Sequence, residues 1–209
     1  MDNVTSLDEI EPQQSPRYHL GIAEQGKLYA IAGDHKTALK YYRYAIKLTS
    51  ALGHPEVFFR HYLECVLESL EHMQAYDELL EYCDKAVALF EETGKNEVIE
   101  NGANDSEEVD LMRLDVASIY LRKGIVFYKK KDIDQACDCF QLCKNHLKHS
   151  KHTLPLLSVM ERWIKGGWHV DEHRIKQEQV RHKYFTVVKE NIKSALAITL
   201  PNDVLASAF

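Results

Sequence analysis

The stretch that most constrains this chain is residues 26–46, G-K-L-Y-A-I-A-G-D-H-K-T-A-L-K-Y-Y-R-Y-A-I. Small residues stand at Gly26, Ala38 and Ala45, and large ones at Tyr29, Leu39, Tyr42 and Ile46. Gly33-Asp34 punctuates the middle. The apolar spacing of three and four on either side of that dipeptide predicts two short helices joined by a tight turn. Gly33 suits the residue after the first helix, where a left-handed backbone is needed, and Asp34 suits the N-cap of the second. Small residues opposite large ones let two helix backbones approach closely, so the pair is expected to be antiparallel and interlocked.

The pattern resembles the tetratricopeptide repeat (TPR) family on Gly26, Tyr29, Gly33, Asp34, Ala38, Leu39, Tyr42 and Ala45, with Ile22 replacing the family's tryptophan. The pattern specifies packing and carries no chemistry. A third repeat matches at Tyr120, Gly124, Phe127, Asp132, Ile133, Ala136, Phe140 and Cys143, with Lys131 in place of the turn glycine. The second is degenerate: Tyr76, Leu79, Leu80, Cys83, Ala86 and Val87 fill helix B, and Gln74-Ala75 stands where Gly-Asp is usual. Ala45 to Ala86 is a period of 41 residues, against about 34 for the common repeat. The excess is expected to lengthen helix A of the second repeat, from about Pro55 to His72, by about two turns. L-G-H-P-E-V at residues 52–57 is similar to the inter-repeat linker of kinesin light chains and their bacterial relatives, which implies the long-repeat subtype.

The expected fold class is therefore all-α, a TPR-like helical-hairpin solenoid with a C-terminal capping helix. Residues 1–17, acidic with two prolines, read as a flexible leader. Residues 18–152 hold three hairpins, with a solvated loop at 93–106 between the second and third. Ser106-Glu107-Glu108 starts the helix after it. Residues 153–209 supply capping helices and a frayed tail: Pro155 starts one helix, Gly166-Gly167 breaks it, and Asp171 caps a last long helix to about Ile198. That helix would cover the open end of the solenoid with a stripe of Ile175, His182, Phe185, Val188, Ile192 and Ala195.

Composition excludes several classes. Among 209 residues, 45% are hydrophobic and 28% charged, ordinary for a chain that buries a core. There is no apolar run of about 18 residues and no secretory leader, so no membrane association is expected and the cytoplasm is the default compartment. Five cysteines lie inside helical patterns and fit reduced thiols. Net charge is −6 but unevenly spread. Residues 1–143 hold 15 basic against 26 acidic side chains, and residues 144–193 hold 11 against 5.

Mapping the concave-wall positions of helix A onto this chain assigns a partner-binding groove to Lys27, His61, Glu64, Glu68, Glu71, Arg122, Tyr128 and Lys129. Glu64, Glu68 and Glu71 place three carboxylates on one helix face, a self-repelling arrangement that suits a protein or peptide partner with basic residues. The clamp by which TPR co-chaperones hold a C-terminal carboxylate is missing. Ala23, Lys27, Cys65 and Leu121 replace its Lys, Asn, Asn and Lys, and only Arg122 agrees.

Cys139, Cys143 and His146 lie on one helix face at metal-ligand spacing, but Cys143 fills a small buried repeat position, so no metal is assigned. No nucleophile elbow, zinc-protease, P-loop or dinucleotide motif is present, so the chain is not expected to be an enzyme or to carry a cofactor. Arg174, Lys176, Arg181, Lys183, Lys189 and Lys193 with Trp163, Trp168, Tyr184 and Phe185 form a basic, aromatic segment that would suit phosphates. The acidic whole argues against nucleic acid. The expected function is a non-enzymatic scaffold or adaptor that takes a partner segment in its groove. The alternatives are a peptide-sensing regulator and a nucleic-acid accessory protein, and an uncovered N-terminal repeat is compatible with a homodimer.

Overall fold

The computed structural model describes residues 16–53, 56–92 and 107–201. Those residues are all-helical: α1 Pro16–Ile31, α2 His35–Leu52, α3 Glu56–His72, α4 Tyr76–Glu92, α5 Glu107–Lys129, α6 Ile133–Leu147, α7 Pro155–Lys165 and α8 Glu172–Arg181. Two short 3-10 turns, Lys189–Asn191 and Ser194–Leu196, follow. The expected leader before residue 16, the loop at 93–106, the His54-Pro55 junction and the tail beyond residue 201 lie outside the described residues.

The caps follow the sequence. Asp34 accepts from the Thr37 N–H at 3.0 Å, Asp132 from Gln135 at 3.2 Å and Asp171 from Arg174 at 2.8 Å. Each satisfies an N–H that has no partner inside its helix. The inter-helix turns repeat one geometry. Gly33, Gln74 and Lys131 have φ of 85°, 56° and 65°, and the residue after each donates to a carbonyl five positions back: Asp34 to Tyr29, Ala75 to Leu70, Asp132 to Phe127. Two of the three lack glycine and hold the left-handed conformation at a steric cost of about 1 kcal/mol or more.

Helix A of the second repeat, expected over about Pro55 to His72, runs Glu56–His72, but its 17 residues exceed the 16 of α1 by one and not by two turns. The longer period is shared, since α2 runs to 18 residues and α4 to 17.

The chain divides into two compact units, residues 1–75 with 186–209, and residues 76–185. In the first, α1 and α2 pair and α3 packs on α2. Gly26 permits the α1–α2 approach, because a Cβ there would lie 2.7 Å from Tyr42 Cε1. The core is Ile22, Ala23, Tyr41, Ala45, Tyr62 and, from the far end of the chain, Leu200. In the second, α5 and α6 form the corresponding hairpin. Gly124 would bring a Cβ to 2.3 Å from Phe140 Cε1. As with Gly26 and Tyr42, the aromatic lies sixteen residues on. Helices α7 and α8 add Leu156, Met160, Trp163 and Ile175 to that hairpin's core.

The long last helix is also corrected. It ends at Arg181, Lys183 turns left-handed at φ 52°, and Tyr184 donates to the Gln179 carbonyl at 2.9 Å. Of the expected stripe only Ile175 lies in this helix and in the core. The run Tyr184-Phe185-Thr186-Val187-Val188 is aromatic and β-branched, a composition that loses side-chain freedom in a helix and favours extended backbone. Beyond it the chain leaves helical geometry and returns to the first unit.

Candidate functional site

The wall of the first unit is built on α1 and α3. Glu24 and Lys27, one turn apart on α1, are each 6% exposed, and the Lys27 Nζ donates to Glu24 Oε1 at 2.8 Å. On α3, Glu68 and Glu71 are buried and His61 and Glu64 are half-buried. Burial lowers the pKa of His61 to about 4, the Lys27 ammonium adds to the shift and Glu24 opposes it. At neutral pH that imidazole is uncharged, so it brings no positive charge to the wall.

A carboxylate removed from water requires hydrogen bonds to replace its hydration. Glu68, at 3% exposure, obtains them from the main chain of residues 186–187: its Oε2 accepts from the Thr186 N–H at 2.7 Å and the Val187 N–H at 3.0 Å. Its Oε1 lies 4.0 Å from His72 Nε2, and the His72 ring stacks on His35 at 4.5 Å. Glu24 uses its second oxygen in the same way, accepting from the Lys193 N–H at 2.7 Å. Further along, Ile198 donates to the Gly21 carbonyl at 2.9 Å and Leu200 to the Tyr41 hydroxyl at 3.2 Å. Residues 193–198 thus run antiparallel to α1. The approach needs Gly21, where a Cβ would meet Ile198 Cδ1 and the Leu196 carbonyl oxygen, both at 2.5 Å.

Part of the acidic face is engaged from within the chain. Two of its members, Glu68 and Glu71, are buried. Glu68 accepts from two peptide N–H groups of this chain. The groups set against the segment are anionic acceptors for main-chain donors and a glycine that admits a second backbone.

Of the eight residues predicted to line a groove, Lys27, His61, Glu64, Glu68 and Glu71 belong to the first unit, whereas Arg122, Tyr128 and Lys129 belong to the second. Arg122 is buried and its guanidinium lies 4.6 Å from the Tyr184 ring centroid. The Tyr128 hydroxyl donates to the Trp168 carbonyl at 2.6 Å from a core position. The Lys129 ammonium lies 5.9 Å from the Tyr76 ring centroid. Arg122 and Tyr128 thus make contacts inside their own unit.

Glu24 is a concave-wall position of helix A by the same mapping, whereas Gly21, Tyr41 and the segment that meets them were not read as part of the wall. The second α1 glycine and the β-branched run after Tyr184 were the available signals.

Cys139 and Cys143 are buried, which pushes their thiols up to about 11 and about 12 and favours the neutral form over the metal-binding thiolate. His146 stacks on Tyr120 at 5.6 Å. Among the described residues no three His, Cys, Asp or Glu side chains converge on a metal position. The basic segment is likewise divided. Arg174 and Arg181 lie 3.1 and 3.7 Å from the buried Glu178 carboxylate, joined by His182 at 3.4 Å, and Trp163 is in the core. Among the described residues no helix is long and apolar enough to cross a membrane. Compared with protein-family models, curated proteins and solved structures, the chain gives no match.

Proposed function

We propose that this chain is a TPR-like, non-enzymatic protein-interaction module of the scaffold or adaptor kind, which takes an extended segment of a partner protein on the α1–α3 wall of its first unit. The observation that carries the reading is the seating of residues 186–200 on that wall through main-chain donors to Glu68, Glu24, Gly21 and Tyr41. A surface that holds one polypeptide segment by its backbone N–H groups has the chemistry to hold another. The repeated left-handed turns at Gly33, Gln74 and Lys131 and the matched Gly–aromatic approaches support the TPR-like reading.

The test is site-specific photocross-linking in the source cell's lysate. A photoreactive residue replaces Glu64, half-buried on the wall, and a control replaces Leu142, an exposed residue of the second unit. A protein cross-linked from position 64 and not from position 142 is the expected result. A partner captured only from position 142, or nucleic acid as the sole product, would refute the assignment.

A further inference from the structure

We infer that residues 186–201 are an exchangeable occupant of the first unit's wall, and that the partner segment this wall takes is extended, apolar at its two anchor positions and read through its main-chain N–H groups, not through basic side chains. The inference rests on the interaction reading above and specifies the ligand.

The deepest anchors sit at the ends of the segment. Val187 is 6% and Leu200 is 2% exposed; between them Val188, Ile192, Ala197 and Ile198 are half-buried, Ile198 against the first unit's core, and Lys189, Glu190, Asn191, Lys193, Ser194, Ala195 and Leu196 are exposed. The intervening chain has only two single 3-10 turns. Its hold on the unit is thus a few hydrogen bonds, two buried side chains and a few half-buried ones, the kind of element that opens locally at lower free-energy cost than the helical core. The hydrogen bonds are made by peptide groups, so any extended segment without proline at those positions can reproduce them.

Lys193 shows how Glu24 is read. It lies at Glu24, yet its N–H reaches the carboxylate while its side chain is exposed. Lys27 already supplies Glu24 with a buried positive charge. Bringing a second ammonium into that site would require its desolvation beside a like charge. Gly21 excludes side-chain bulk on α1 where the bound segment passes, which leaves backbone and an apolar residue as the groups that fit.

The experiment uses the full chain and a fluorescein-labelled peptide of residues 184–201. The double variant Val187→Asp/Leu200→Asp removes both apolar anchors and sets a negative charge beside Glu68, releasing the segment and vacating the wall. Hydrogen exchange should show residues 186–200 exposed and α1–α3 still protected. Labelled peptide should then bind at least about tenfold more tightly to this variant than to the wild type. Adding Glu68→Gln to it should return binding to the wild-type level or below, and a peptide carrying Asp at the Val187 and Leu200 positions should not bind.

Lys193→Pro removes one donor and leaves the core intact, so it should give a smaller gain. It decides the matter alone if the double variant loses its helical circular dichroism. A released segment with protected helices and no gain in peptide affinity overturns the inference, as does displacement of the labelled peptide by an oligolysine peptide. A partner cross-linked from position 64 without any such exchange overturns this inference and leaves the interaction reading standing.

Discussion

Gly21→Ala tests the packing of the C-terminal segment on α1 with one methyl group. In the helix itself alanine is the better residue by about 1 kcal/mol, so α1 gains. The new Cβ, however, would lie 2.5 Å from both Ile198 Cδ1 and the Leu196 carbonyl oxygen. The isoleucine can change rotamer; the carbonyl is backbone and must retreat by about 1 Å to reach ordinary contact. That retreat breaks the Ile198 N–H bond to the Gly21 carbonyl, worth about 1 kcal/mol. It also loosens Leu200, whose full release from the core would forfeit a further 2 kcal/mol or so. The segment is thus expected to open more easily by about 1–3 kcal/mol. At 1.4 kcal/mol per tenfold, amide exchange at Ile198 and Leu200 should accelerate by roughly tenfold or more. Thr186 and Val187, held separately by Glu68, should change less, and the α1 and α2 amides should be unchanged or slower. Residue-resolved hydrogen exchange at matched pH reads all of these. Unchanged protection at Ile198 would refute the close-approach argument.

Three further outcomes follow from the packing and charge. Gly124→Ala should lose about 1–3 kcal/mol in urea denaturation by overpacking against Phe140. Gly26→Ala should lose less, because its closest Cβ contact is 2.7 rather than 2.3 Å, and Phe140→Leu should recover part of the Gly124→Ala loss; an unaffected Gly124→Ala protein would contradict the interlocked hairpin. Lys131→Gly, at a φ of 65°, should raise stability by about 0.5–1 kcal/mol, the relief of the left-handed strain less the entropy of an added glycine, and a measured loss would count against the strained turn. His61, whose pKa is lowered from 6.5 to about 4 by burial, binds its proton in the unfolded chain before the folded one. Its contribution is therefore complete above pH 6.5 and is lost as pH falls toward 4, by about 3 kcal/mol at most. His61→Gln should flatten the stability–pH curve over that window, and an unchanged slope would show that other groups govern it.

The local elements of this fold were legible because their causes are local. An aspartate three residues before a free N–H caps a helix wherever it stands, as Asp34, Asp132 and Asp171 do. Spacing of three and four marks the buried stripe, and Gly26 and Gly124 each precede an aromatic ring at the same offset. The turns at Gln74 and Lys131 could be placed by their register with Gly33, but that those residues turn left-handed without being glycine is a matter of the folded backbone.

The site divided along the same line. That Glu64, Glu68 and Glu71 share a helix face is a consequence of 3.6 residues per turn; what that face meets is not. Residues 182–198 carry enough apolar spacing to be read as a capping stripe, and their β-branched start weighs against a helix only modestly. Their peptide N–H groups had two ways to be satisfied, a carbonyl four residues back or an acceptor elsewhere in the chain. The tertiary structure decided for Glu68, 118 residues away from Thr186, and for Glu24, 169 residues away from Lys193. Periodicity cannot encode such a pairing, because a carboxylate buried on one element specifies only that donors must come, and the folded chain alone determines which donors arrive.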